Sequence, residues 1–228
     1  MSEQTLAGIG ILAGLTAADR DALEKRCRWR RFSAGEQIID RTAESQDVYF
    51  VVKGAVRVVN YAASGREVSF ADIAAGECFG ELAALDGQRR SAAVVASAAT
   101  LAATLPSAAF IDLLAQQPQV ALALMQRLAR VIRQSTGRIM TLSTQGTHQR
   151  VYAELLRAAG AKQDDTRATI RPLPTHAEIA ARISTTRETV ARTLAELARK
   201  KLVRREGRAL HIVDVARLRD LLDAGEEY

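Results

Sequence analysis

Thr175-His176-Ala177-Glu178-Ile179-Ala180-Ala181-Arg182-Ile183-Ser184-Thr185-Thr186-Arg187-Glu188-Thr189-Val190-Ala191-Arg192-Thr193-Leu194 holds two helical patterns broken at Ser184–Thr186. Ile179, Ile183, Val190 and Leu194 form an apolar face across both. Ala180 is small where two helices must cross closely, and Thr186 is placed to cap the second helix. This is helix-turn-helix grammar, in which the second helix lies in the major groove of DNA with its first turns at the base edges. On that helix Arg187, Glu188 and Arg192 are the candidate base readers. Arginine donates in parallel to guanine O6 and N7, and glutamate accepts from cytosine N4. A solvated amphipathic helix also carries Arg and Glu, so residue type alone leaves both readings open. Thr175 and His176, at the start of the first helix, are candidates for a phosphate contact. His176 reads equally as an ordinary surface histidine.

The charge of the chain gathers around this stretch. The 228 residues carry a net charge of +6, and residues 182–208 hold nine basic against three acidic side chains, which is the whole excess. Arg199-Lys200-Lys201-Leu202-Val203-Arg204-Arg205-Glu206-Gly207-Arg208 reads as a helix end leading into a winged hairpin around Glu206-Gly207-Arg208. Cations there, Arg208 among them, suit phosphate positioning and carry no sequence choice.

Upstream, Gly146 and His148 mark a joint, and Gly160–Thr169 reads as a loop. A long helix is predicted from about Pro118 to Thr144. Met125, Leu128, Ile132, Ser135, Ile139 and Leu142 recur on it at alternating spacings of three and four, the seam of a coiled coil. The seam predicts pairing with a second copy of the chain; the alternative is a helix packed on its own domain by the same stripe. Ser135 is the polar break in the seam, with Thr136 and the helix-weakening Gly137 beside it. Such a break sets register, or meets something other than the partner helix. Before this helix, Pro106 and Pro118 bracket a shorter one, and residues 16–27 predict another with Thr16 as its cap. Between Trp29 and Leu105 lie short β-rich runs, Val48-Tyr49-Phe50-Val51-Val52, Val56-Arg57-Val58-Val59 and Val68-Ser69-Phe70, punctuated by glycines. They predict a small all-β barrel or roll, with Ser64-Gly65 marking a hairpin.

Inside that β region stands Phe79-Gly80-Glu81-Leu82-Ala83-Ala84-Leu85-Asp86-Gly87-Gln88-Arg89-Arg90-Ser91-Ala92. Gly80 permits close approach of backbone to a ligand. The Leu82–Leu85 turn can form a short helix, Arg90 can donate twice to phosphate oxygens, and ionised Glu81 can accept from sugar hydroxyls. One arginine for a phosphate and one carboxylate for a ribose is the minimum set for a small nucleotide. The plain alternative is a turn closed by a surface ion pair between Glu81 and Arg90.

The ordered run Gly80, Glu81, Leu82, Arg90, Ser91, Ala92 resembles the phosphate-binding cassette of cyclic-nucleotide-binding domains in the CRP/FNR superfamily of bacterial regulators. The resemblance extends over nearly the whole chain and implies an α+β architecture. It consists of a cyclic-nucleotide-binding β-roll, or double-stranded β-helix (residues 1–117), a dimerisation helix (118–145) and a C-terminal winged helix-turn-helix (146–228). It implies Glu81 on the ribose 2′-hydroxyl, Arg90 with the Ser91 region on the cyclic phosphate, and Ser135 and Thr136 offering hydroxyls to the purine. The effector implied is cAMP, with cGMP kept open because the order Ser-Thr departs from the Thr-Ser of the familiar cAMP receptor. Arg187, Glu188 and Arg192 match the R-E-x-x-x-R of that family's recognition helix, which implies a palindromic operator with TGTGA-like half-sites on double-stranded DNA. Ser184 replaces the family's turn glycine. RNA polymerase is the further partner implied, near a loop with Lys162, Asp164 and Asp165.

Other classes fit less well. Cys27 and Cys78 lie 51 positions apart, which excludes a disulfide scaffold and a C-x-x-C site, and two cysteines fall short of the several that iron–sulfur relatives need. Haem in the first half would have to use Cys78, since His148, His176 and His211 all come later. An enzyme would need a base or metal ligands near Glu81 and Arg90, where only Asp86 adds a carboxylate. No metal, covalent cofactor or catalytic residue is therefore expected. With no apolar run near the roughly 18 residues of a membrane span, and Met1-Ser2-Glu3-Gln4 unlike a secretory signal, the expectation is a cytoplasmic protein with no membrane partner. A DNA binder of the same family that needs no ligand remains the main rival, with Glu81 and Arg90 then structural.

Overall fold

Strand-forming runs separated by glycines build the first half into antiparallel sheets. The architecture is described from a computed structural model covering residues 4–62 and 67–224. A 3-10 turn at Gly10–Leu12 and α1 (Ala17–Arg26) precede β1 (Arg28–Phe32), β2 (Gln37–Ile39), β3 (Val48–Lys53), β4 (Ala55–Tyr61), β5 (Glu67–Ala74) and β6 (Cys78–Phe79). Then follow α2 (Glu81–Asp86), β7 (Ala93–Ala96), β8 (Thr100–Leu105), α3 (Ser107–Gln116) and α4 (Pro118–Thr144). One sheet has the order β1-β8-β3-β6 and the other β2-β7-β4-β5, every pairing antiparallel. Strands that alternate between two sheets in this way form the expected roll. Ser64-Gly65, read as a hairpin, lies outside the described residues.

The core of the roll is assembled from distant parts of the chain. Val48, Phe50, Cys78, Ala103 and Leu105 on the strands pack with Leu6, Ile9, Ile11, Leu12 and Leu15 from the N-terminal segment and with Phe110 of α3. The first half of α4 joins them through Val120 and Leu124. Thr16 caps α1 as expected, its hydroxyl accepting from the Asp19 N–H at 3.1 Å.

The remaining chain forms α5 (Thr147–Ala158), β9 (Ala168–Ile170), α6 (His176–Arg182), α7 (Arg187–Arg199), β10 (Val203–Glu206), β11 (Ala209–Ile212) and α8 (Val215–Asp223). Its own core includes Val151, Leu155, Ile179, Val190, Leu197, Ile212 and Leu218, all at most 1% exposed. The reading of Gly160–Thr169 as loop is corrected at its end: Ala168 and Thr169 belong to β9, which pairs with β11 and makes the hairpin a three-stranded sheet. Burial of Ile170 anchors this short strand. By compactness the chain divides inside α4, between Ile132 and Arg133. Among the described residues no single helix is long and apolar enough to cross a membrane, and no group of three His, Cys, Asp or Glu could hold a metal ion.

Candidate ligand cassette and nucleic-acid interface

Gly80 turns β6 into α2 with a φ of 83°. A Cβ there would stand 2.8 Å from Arg90 Nη1 and 2.8 Å from the Asp47 carbonyl oxygen, so both conformation and space require glycine. α2 begins at Glu81, which is 7% exposed, and Arg90 is 5% exposed. Nη1 of Arg90 donates to the Gly80 carbonyl at 3.0 Å; Nη2 donates to the Asp47 carbonyl at 2.9 Å and the Ser45 hydroxyl at 3.3 Å. Three of the five guanidinium donors are thereby used. Its Nε is buried without a hydrogen-bond partner among the described residues. Burial draws the Arg90 pKa down, while the charges of Tyr49, Asp47 and Glu81 work against that. A buried cation with an unsatisfied donor beside a glycine cradle fits an anionic ligand such as a cyclic phosphate.

Glu81 does not pair with Arg90. Its Oε1 accepts from Nη1 of Arg127, on α4, at 2.9 Å, and Nη2 of the same arginine donates to the Cys78 carbonyl at 2.7 Å. The surface ion pair considered for Glu81 and Arg90 is thus replaced by a buried pair with Arg127. An ionised carboxylate has about four lone-pair sites, so this pair is compatible with a ribose hydroxyl on the same group. Arg127 belongs to no motif of the sequence, although an arginine three residues after Leu124 and seven after Val120 sits on a core-facing stripe, a signal for a partnered cation. Around these groups Ala92 is buried, and Leu82 and Ser91 are exposed.

Cys78 is fully buried, and burial pushes its thiol up to about 12. It is a protonated core thiol, poorly suited to ligate haem iron as a thiolate.

Along α4, Met125 is 59% exposed, Ile132 65%, Ile139 63% and Leu142 38%. Leu128, placed in the same seam, is instead half-buried against the core of the roll. Val120 and Leu124 pack in the core of the roll, and the predicted seam positions other than Leu128 lie on an exposed stripe. Ser135 and Thr136 are exposed on the same helix.

In the second unit, Thr186 caps α7 by accepting from the Thr189 N–H at 3.2 Å. Arg187, Glu188 and Arg192 project from the first turns of α7, exposed and drawn into no hydrogen bond or ion pair among the described residues. Ser184 forms the turn with a φ of 56°, the left-handed conformation glycine would adopt without strain. Thr175 forms a capping box with Glu178: its hydroxyl accepts from the Glu178 N–H at 3.2 Å, and Glu178 Oε2 accepts from the Thr175 N–H at 2.8 Å. Its first role is therefore to start α6, and His176 is half-buried beside it. Gly207-Arg208 closes the β10–β11 hairpin, with Arg208 exposed at its tip.

A β-roll with a buried arginine beside a glycine cradle and a winged helix-turn-helix on one chain point to a class: DNA-binding regulators that carry a small-molecule-binding domain. Residues 29–117 match the family model of the cyclic nucleotide-binding domain, and residues 149–221 that of the Crp-like helix-turn-helix domain. The cyclic AMP receptor protein of Thermus thermophilus is 30% identical over 216 residues, covering 94% of this chain and 97% of that protein. The CRP-like cAMP-activated global transcriptional regulator of Mycobacterium tuberculosis is 26% identical over 219 residues, covering 95% of this chain and 97% of that one. Among solved structures, a CRP/FNR-family transcriptional regulator of Thermus thermophilus has a TM-score of 0.68 at 26% identity, covering 86% of this chain and 98% of that one. The chain belongs to the CRP/FNR family of transcription regulators, DNA-binding proteins and not enzymes.

Proposed function

We propose that this regulator is a homodimer switched by a cyclic nucleotide, cAMP ahead of cGMP, and that it reads a palindromic operator with TGTGA-like half-sites. The observation that carries the ligand is the buried Arg90, with an unpartnered Nε, beside the glycine cradle at Gly80. In this reading Arg90, with the Ser91–Ala92 segment, takes the phosphate, Glu81 takes the ribose 2′-hydroxyl with Gly80 and Leu82 framing the site, and the Ser135 and Thr136 hydroxyls take the purine. The cyclic AMP receptor protein of Thermus thermophilus and the cAMP-activated regulator of Mycobacterium tuberculosis favour the adenine nucleotide. The exposed stripe of Met125, Ile132, Ile139 and Leu142 favours the dimer. The regulator then works in the cytoplasm with DNA and RNA polymerase as its partners. Nucleotide can raise operator affinity only by binding the DNA-competent arrangement more tightly than the other.

In the same reading Arg187, Glu188 and Arg192 choose sequence, and Thr175, His176, Thr186 and Arg208 add contacts to the DNA backbone. The base-reading role is tested by Arg187→Ala. Competition binding with operators altered one base pair at a time should show about 1–3 kcal/mol of lost discrimination at one guanine. Equal weakening on every sequence would make Arg187 a phosphate contact.

A further inference from the structure

The turn of the helix-turn-helix is held from outside by two arginines. Arg138, in the last part of α4, donates from Nη2 to the Arg182 carbonyl at 2.6 Å. Arg150 of α5 donates from Nε to the Ile183 carbonyl at 3.2 Å, from Nη1 to the Gln145 carbonyl at 2.8 Å and from Nη2 to the Thr147 hydroxyl at 3.3 Å. Arg182 is the last residue of α6 and Ile183 its C-cap, so these carbonyls are among the groups a helix end leaves without intrahelical partners. Cations are also favoured there by the helix dipole.

Directly after the clamped carbonyls comes Ser184 in its left-handed conformation, then the Thr186 cap, then Arg187. A non-glycine residue persists in that conformation only where its surroundings over-determine it. Glu154 of α5, 6% exposed, braces the same corner: Arg157 Nη2 lies at 2.6 Å from its Oε1 and Arg182 Nη1 at 3.3 Å. Burial draws the pKa of the half-buried Arg138 down, and the Glu154 charge works against that. None of these groups stands with the base readers at the start of α7, yet all converge on the few residues that set where that helix begins.

We infer that Arg138 is a positioning residue for base reading: by clamping the end of α6 from α4, it fixes the turn that sets the entry and register of the recognition helix. Through Arg138 the last part of α4 thereby braces the turn that precedes α7. The inference goes beyond the nucleotide reading and does not depend on it; it uses only the assignment of α7 as the DNA-reading helix.

The test uses full-length protein without nucleotide, with cAMP and with cGMP, in whichever condition wild-type protein enriches a duplex from a random pool, and two duplexes of equal length: that enriched one and a scrambled one. Arg138→Met should weaken binding to the enriched duplex about tenfold, the scale of one base contact, while binding to the scrambled duplex stays within about twofold. Arg138→Lys, which keeps a donor for the carbonyl, should recover part of the ratio. A ratio between the duplexes equal to that of wild type, whether or not the unfolding temperature falls, would show a merely structural arginine and overturn the inference. Should Arg138→Met not fold, Arg138→Lys and Arg138→Gln give the same comparison, and unchanged ratios in both overturn it as well. A wild-type protein that enriches no duplex would overturn the DNA-reading assignment first, and this inference with it.

Discussion

Arg90→Leu is expected to abolish nucleotide-dependent operator binding while leaving the dimer intact. The guanidinium is 5% exposed, and its Nε lacks a hydrogen-bond partner among the described residues. A phosphate meeting it would gain charge-assisted hydrogen bonds worth about 1.5–3 kcal/mol each. Losing two of them lowers nucleotide affinity by roughly a hundredfold or more. Leucine also strands the Gly80 and Asp47 carbonyls, which should cost the roll about 1–3 kcal/mol for each group left unsatisfied. Calorimetric melting separates this loss from the binding defect, and sedimentation reports the dimer. Unchanged activation by nucleotide in a folded Arg90→Leu protein would make Arg90 structural and favour the ligand-independent rival.

Ile139→Asp is the second large effect expected. Ile139 is 63% exposed on the single chain, so the substitution should leave the stability of each unit nearly unchanged. In a paired seam the same change removes about 1.5–3 kcal/mol of apolar burial per chain and sets two carboxylates against each other in a dry interface. Sedimentation should shift from dimer to monomer. Operator affinity should fall by about 10²–10⁴, because a monomer loses the second half-site and the effective concentration that linkage provides. A dimer of unchanged stability would assign the exposed stripe of α4 to another partner.

The features legible in the sequence are those written in local spacing. The helix-turn-helix needs only Ile179, Ile183, Val190 and Leu194 in register with the Thr186 cap, and these produce α6 and α7. The cassette is likewise contiguous, and Gly80 has the positive φ and the tight surroundings expected of it. What escapes such a reading is contact between distant residues. The pairing of Arg127 with Glu81 spans 46 residues, and the bond from Arg138 to Arg182 spans 44; no local period marks either. The packing of Leu6 to Leu15 into the roll is hidden for the same reason. β9 is hidden because three residues pairing at a sheet edge have too little pattern to stand out from a polar loop. The seam is legible as a stripe, but its spacing cannot show that Leu128 also serves the roll while its neighbours stay exposed.

In the proposed switch, one small cyclic nucleotide bound at Arg90 and Glu81 controls how tightly this chain holds DNA. Calorimetric titration of the full-length protein with cAMP and with cGMP, each with and without palindromic TGTGA duplex, measures it most directly. The expected result is saturable binding, stronger for cAMP, tightened by the duplex by the same factor by which nucleotide tightens DNA binding, as linkage requires. Absence of heat with both nucleotides, or binding whose affinity the duplex leaves unchanged, would contradict it.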